Sequence, residues 1–398
     1  MNETVAALAE LPSRFTLDGS DQLERHLART CQNVLAGIRH LVPDNLLEAL
    51  LLGGGYGRGE GGVLETPTGH WPYNDLEFYV FIHGNRWLNE RRYLGPLHQL
   101  GHKLGQRAGL EVEFKIISQA QLRSSSPSMF YYDLMTGHQW LWGDQRRLAD
   151  CAHHRSAPHI PLSEATRLLM NRGTGLLFAR EVLSRRPFTS ENADFVGRNL
   201  AKAQLALGDA VLTAFGQFHW SCRQRHERLR TLDPKEPLAW LPDVLRHHEH
   251  GVEFKLHPLP SSASPETLQR QYDDLSALGL NVWLWLESRR LGHRFVSARD
   301  YGLSSLNKCP ETNRWRNLLV NAKAFGPAAL WKTKAWRYPR ERLLNSLAIL
   351  LWEGSVFDVK LTRRLQGELL VETTDRNSFV QAYQTLSARL NGSALLPL

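Results

Sequence analysis

The chain has little cysteine: Cys31, Cys151, Cys222 and Cys309 are the only four in 398 residues, they lie far apart, and they form no C-x-x-C pair. That excludes a disulfide-stapled scaffold, a zinc finger and a dithiol redox site, and isolated reduced thiols fit a cytoplasmic protein. Long apolar runs are missing as well. No stretch approaches the roughly 18 apolar residues of a membrane span, and Leu347 to Trp352 is among the longest. The first residues, Met1-Asn2-Glu3, carry an acid early and precede no basic cluster with an apolar core, so no secretory signal is read there. Compositional bias is also lacking. With 42% hydrophobic and 22% charged residues the chain can bury an ordinary core, and its length suits two or three domains, or one core with an elaborate second lobe. Lys and Arg number 48 against 40 Asp and Glu, a balance of +8 that favours an anionic partner such as a nucleotide or nucleic acid.

Leu23, Leu27, Val34, Leu35 and Ile38 recur at helical spacing between Asp21 and Leu41, with Ser20 as a cap and Pro43 as a stop. The short apolar run Ala49 to Leu52 then reads as a buried strand that breaks into Gly53-Gly54-Gly55-Tyr56-Gly57-Arg58-Gly59-Glu60-Gly61-Gly62, seven glycines in ten positions. Asp75 to Ile82 reads as a second strand, with Leu76, Phe78 and Val80 on one face and Asp75, Glu77 and Tyr79 on the other. A helix is expected from about Arg86 to Arg107, followed by a strand over Glu111 to Ile117 whose polar face carries Glu111, Glu113 and Lys115. From Pro161 onward the pattern is mainly helical: Thr166 to Leu183, Phe195 to Trp220, Pro265 to Leu291 and Arg340 to Trp352. An α+β fold follows, with a smaller α/β domain over residues 1–150, a loop near Cys151 to Pro161, and a helical domain over 160–398. Val112-Glu113-Phe114-Lys115 recurs as Val252-Glu253-Phe254-Lys255, but the flanks differ and the echo reads as chance.

A glycine-rich turn leaving a strand can bring backbone N–H groups against phosphate oxygens, because no side chain blocks the approach. This turn lacks the G-K-[ST] of a Walker loop, and no clear helix and ribose-binding acid follow it. Two carboxylates at i and i+2 on one strand face, with a third on a second strand, can ligate a pair of Mg²⁺ ions, which serve phosphoryl or nucleotidyl transfer by activating a hydroxyl and stabilising charge on the transferred phosphate.

Gly54-Gly55-Tyr56-Gly57-Arg58-Gly59-Glu60, followed by Asn74-Asp75-Leu76-Glu77, resembles the signature of the DNA polymerase β-like nucleotidyltransferase superfamily, and the loop is closest to that of the uridylyltransferases that modify PII protein. The resemblance covers about residues 48–145, to which Leu141-Trp142-Gly143-Asp144 adds a segment common after such a core. It implies a nucleotidyltransferase-type mixed sheet with helices and a helical lobe that helps hold the nucleotide. It further implies Mg²⁺ on Asp75, Glu77 and Glu113, and a nucleoside triphosphate on Gly54, Gly55, Tyr56, Gly57 and Arg58. The function implied is Mg²⁺-dependent transfer of a nucleoside monophosphate to an acceptor hydroxyl, with release of pyrophosphate. The extra residues Gly61 to Trp71 between loop and acids suggest a hairpin over the site. A non-catalytic binding module on the same fold, or a toxin–antitoxin component using a basic helical surface, is the competing reading.

Several assignments stay open at this level. The third carboxylate is Glu113 or Glu111. Arg58 meets triphosphate or pairs with Glu60 to stiffen the turn. Lys202, seven residues before Asp209 on one helix, is a second candidate for the triphosphate, as lysines of the helical lobe are in this superfamily, or is a solvated lysine. His247-His248-Glu249-His250 reads as a solvated segment rather than a metal site, because neighbours on one turn point apart. Residues 301–345 hold nine Lys or Arg against two acids, interleaved with Trp315, Trp331 and Trp336. That pattern suits single-stranded RNA as a partner if the rings and cations are at the surface, and a plain helical core if the rings are buried. The acceptor is a protein, an RNA or a small molecule.

Overall fold

The computed structural model describes residues 14–331, 335–354 and 356–392. Lys332 and Lys334 of the basic segment, and the N-terminal residues Met1 to Glu3, lie outside them. The chain divides into two compact units. The first takes residues 1–161 and two later segments, 215–233 and 249–259; the second takes 162–214, 234–248 and 260–398.

In the first unit, α1 (Asp21–Leu41), capped by the Ser20 side chain, buries Leu23, Leu27, Val34 and Ile38 as its periodicity requires. β1 (Leu47–Leu52) leads into a single helical turn, α2 (Gly54–Gly57), then a two-stranded hairpin of β2 (Val63–Thr66) and β3 (Gly69–Pro72). β4 (Leu76–Ile82), α3 (Arg86–Ala108), β5 (Val112–Ile117), α4 (Gln119–Ser124), α5 (Met129–Thr136) and β6 (Gln139–Gly143) complete the N-terminal run. The four longer strands form one mixed sheet in the order β5-β4-β1-β6, with β1 antiparallel to both neighbours and β4 parallel to β5. One face packs on α1 and α3 through Leu50, Phe78, Val80 and Phe114, and the other on α5 through Leu51, Tyr79 and Phe81. The first strand of the signature starts at Leu76, so Asp75 sits at its mouth, just before the ladder begins.

The second unit is helical: α6 (Leu162–Leu183), α7 (Ser190–Ala214), α10 (Pro265–Leu291) and α13 (Arg340–Trp352) supply its core, and α11 (Ala298–Leu303), α12 (Arg314–Phe325), α14 (Val359–Leu369) and α15 (Arg376–Gly392) complete it. Between them in sequence lie α8 (Cys222–Arg230), assigned to the first unit, and α9 (Leu241–Leu256), whose last turns belong to the first unit. The helix expected to run to Trp220 ends at Ala214, because Gly216 turns at φ +67 and the chain re-enters the first unit against Pro158. An α+β fold with a small mixed sheet and a larger helical part is thus what the chain adopts. Among the described residues no helix is long and apolar enough to cross a membrane.

Ionic groups are unusually deep in the helical unit. Glu287 is fully buried and accepts from Thr166 Oγ1 at 2.6 Å, from the Tyr301 hydroxyl at 2.7 Å and from both arms of Arg290. Lys308 is also fully buried. Its Nζ lies 4.7 Å from the Tyr301 ring centre and 5.3 Å from that of Phe295, with no hydrogen-bond partner among the described residues. Burial pushes this ammonium down to about 8.

Candidate active site

The glycine turn starts where β1 ends. Gly53 N–H donates to the Glu77 carbonyl at 2.8 Å, which fastens the turn to β4. Two positions require glycine for separate reasons. Gly54 adopts φ +63, and a Cβ there would lie 3.0 Å from Glu77 Oε1. At Gly57 a Cβ would lie 2.2 Å from the Leu52 carbonyl oxygen, in the backbone of β1. Tyr56 points inward and is fully buried; its hydroxyl donates to the Gly62 carbonyl at 2.9 Å and accepts from Tyr73 N–H at 3.0 Å. The ring therefore closes the loop on itself, and Tyr56 can meet a ligand only through its backbone.

Arg58 and Glu60 do not pair with each other. Arg58 reaches Asp133 on α5 at 2.8 Å, while Glu60 is buried and accepts from Ser221 Oγ and, at 2.8 Å, from Cys222 N–H at the start of α8. Burial works against the Glu60 charge, but these two bonds outweigh it and hold the carboxyl below its ordinary value. A cation the sequence reading missed lies beside the loop. Lys255, near the end of α9, is pushed down to about 8 by burial and then by the charge of Arg58. Its carbonyl is 3.2 Å from where a Cβ of Gly62 would stand. The two Val-Glu-Phe-Lys segments thus end in the same unit, Lys115 on a strand and Lys255 on a helix, with no shared local structure to make them a repeat.

The strands bring the acids together. In the β4–β5 register Glu77 stands opposite Glu113, and the charge of Glu113 reaches Asp75. Lys115 Nζ bonds Glu77 Oε2 at 2.7 Å and lies 3.7 Å from Glu113, and the Tyr79 hydroxyl donates to the same Glu77 oxygen at 2.8 Å. Asp75 is raised above the ordinary carboxylate value by burial and by the like charges of Glu77 and Glu113. Burial would raise Glu77 too, but Lys115 and Tyr79 hold it below. Lys115 is in turn kept above its ordinary value by Glu77, Glu113 and Asp75 despite partial burial. Three acids therefore share one lysine, a net negative charge in a partly desolvated place.

No group of three or more His, Cys, Asp or Glu among the described residues stands close enough to hold a metal on protein ligands alone. Mg²⁺ does not need one, since it commonly binds one or two carboxylates plus substrate phosphates and water. The oxygen-only donors Asp75 and Glu77, beside a glycine turn, suit such an ion.

Other assignments fall elsewhere. Lys202 is exposed on α7 in the helical unit. His247 and His248 are buried, contrary to the solvated segment expected: His248 Nε2 bonds Asp209 at 3.2 Å, and His247 bonds Asp274 and Gln204, each at 3.1 Å. In the basic segment, Trp315, Trp331 and Trp336 are exposed by 71%, 92% and 46%, so the rings are not core. The cations are less available than their number suggests. Lys308 and Arg342 are buried, and Arg337 is bonded to Glu341 and to the Ser305 and Leu306 carbonyls. The charge that favoured RNA over 301–345 is thus partly turned inward. The hairpin of β2 and β3 is present, but it leans on α1, where Ser20 N–H donates to His70 Nδ1 at 3.0 Å.

No family model matches the sequence, and no curated protein matches it. Among solved structures the chain is similar to a crystal structure of spectinomycin adenyltransferase AAD(9) from Enterococcus faecialis with ATP and spectinomycin. That match has 13% identity and a TM-score of 0.34, and covers 62% of this chain and 98% of the other.

Proposed function

We propose that this protein is a Mg²⁺-dependent nucleotidyltransferase that moves a nucleoside monophosphate from a nucleoside triphosphate to an acceptor hydroxyl and releases pyrophosphate. The observation that supports the reading is the close approach of Gly54 to Glu77, 3.0 Å from the position of a Cβ to Oε1, so that the glycine turn lies directly against the strand that follows Asp75 and carries Glu77. Asp75 and Glu77 would hold the metal and Glu113, partly exposed, would complete the acidic face or accept the proton of the acceptor hydroxyl. The Gly54, Gly55 and Gly57 amides would cradle the triphosphate. Arg58 and Lys255 would offset its charge, since both act electrostatically at the loop. Mg²⁺ bound there would neutralise the phosphates and polarise the phosphorus centre. Lys115 would keep Glu77 ionised before the ligand arrives.

Three acids beside an anion-binding turn repel a triphosphate unless a cation intervenes, which argues against a purely non-catalytic binding module. The test is incubation with each α-labelled triphosphate and Mg²⁺, with and without cell extract, for the parent and for Asp75→Asn. Transfer of label should fall at least about a hundredfold in the variant while its circular dichroism is kept. Undiminished transfer in a folded Asp75→Asn protein, or no transfer by the parent from any of the triphosphates, would overturn the proposal.

A further inference from the structure

The hairpin inserted between the glycine loop and the carboxylates builds a second feature. With the first three turns of α1 and the last turn of α3 it lines a groove of about 550 Å³, inside the range of small-ligand sites. Arg25, His26 and Arg29 come from α1, Arg107 from α3, and His70 and Trp71 from the hairpin. No carboxylate lines it. The guanidinium groups of Arg25, Arg29 and Arg107 have no ion pair or hydrogen bond among the described residues. Three uncommitted guanidinium groups around one groove suit an anion.

The walls are fixed relative to one another. His26 Nε2–H donates to the Ala108 carbonyl at 2.8 Å, tying α1 to the end of α3, and His70 Nδ1 accepts from Ser20, tying the hairpin to α1. Trp71 is held as well. Its Nε1–H donates to Thr68 Oγ1 at 3.2 Å while the residue stays 47% exposed, so the polar edge is satisfied and what faces solvent is largely apolar ring. A fixed, exposed indole beside free arginines matches a ligand that is flat and aromatic at one end and carries phosphate at the other.

We infer that this groove binds a nucleoside phosphate, its base stacked on Trp71 and its phosphates on Arg25, Arg29 and Arg107. The site is independent of the glycine loop and stands whether or not the proposed transfer reaction does. Equilibrium dialysis of labelled ATP with Mg²⁺ against the full chain tests it. The parent should bind two nucleotides per chain. The Arg25→Ala/Arg29→Ala/Arg107→Ala triple variant should bind one, and so should Gly54→Ala, which disturbs the loop and Glu77 but none of the groove residues. Trp71→Ala should weaken the groove site about tenfold, and Trp71→Phe should restore most of the loss. All three arginines are exposed, so the triple variant should keep the parental circular dichroism. If the loop binds nothing, the parent binds one nucleotide and the triple variant none, which removes the transferase reading and keeps the groove. A triple variant that binds as much ATP as the parent overturns the groove site.

Discussion

Two glycines of the same loop should fail in opposite ways when each becomes alanine. At Gly57 the added Cβ would meet the Leu52 carbonyl oxygen at 2.2 Å and its carbon at 2.7 Å. Those atoms belong to β1, which is bonded to β4 on one side and β6 on the other and has no room to give. Restoring ordinary contact needs a shift of about 1 Å in packed backbone, at the upper end of overpacking costs, about 3 kcal/mol. At Gly54 the φ of +63 costs an alanine about 1–2 kcal/mol, and the nearest atom is the end of a side chain, Glu77 Oε1, which can swing away. Swinging away takes Glu77 off Lys115 and Tyr79 and spoils the acidic face. Gly57→Ala should therefore unfold at clearly lower urea. Gly54→Ala should lose less stability than that, yet bind a non-hydrolysable triphosphate at the loop at least about tenfold more weakly. Urea titration by circular dichroism and calorimetry with the analogue measure both. A Gly57→Ala protein that unfolds with the parent, or a folded Gly54→Ala protein that keeps the parental loop affinity, would refute the reasoning.

Lys115→Met should move the acid limb of the pH–rate profile for pyrophosphate release to higher pH. Burial already favours protonated Glu77, and Lys115 is the largest of the groups that oppose it; an unmoved limb would show that Glu77 does not govern activity. Lys308→Met should flatten the alkaline rise in stability of the helical unit. The folded lysine loses its proton near 8 and the unfolded one only near 10.5, so the parent gains stability across that window, roughly 3 kcal/mol in all, which the variant lacks. Urea titrations at both ends of the window check it, and equal gains in parent and variant would mean that Lys308 is not desolvated.

The parts of the site that could be read in the sequence are those whose chemistry is local. Glycines crowd where a strand must turn, and Asp75 and Glu77 alternate with Leu76 and Phe78 because one strand face is core. Helices such as Pro265–Leu291 and Arg340–Trp352 declared themselves by periodicity and by Pro or a cap at their ends. What stayed hidden depends on partners far along the chain. Nothing near Glu60 announces Ser221, and nothing near Lys255 announces Arg58. The histidines at 247 and 248 look solvated until α7 and α10 supply Asp209, Gln204 and Asp274. The availability of the cations of 301–345 stayed hidden for the same reason: counting charges ignores which of them, like Lys308 and Arg342, the fold turns inward.

The anchoring of the glycine turn by α8 bears on the order in which this protein can be completed during synthesis. Glu60 and Ser221 are 161 residues apart, and Lys255 emerges later still. A ribosome will have released the whole sheet, from β1 to β6, long before the turn's far anchor leaves the exit tunnel. Closing so long a loop costs only slightly more than closing one half its length, so the delay is kinetic and not thermodynamic. The strands of the sheet are thus all synthesised before the residues that fasten Glu60.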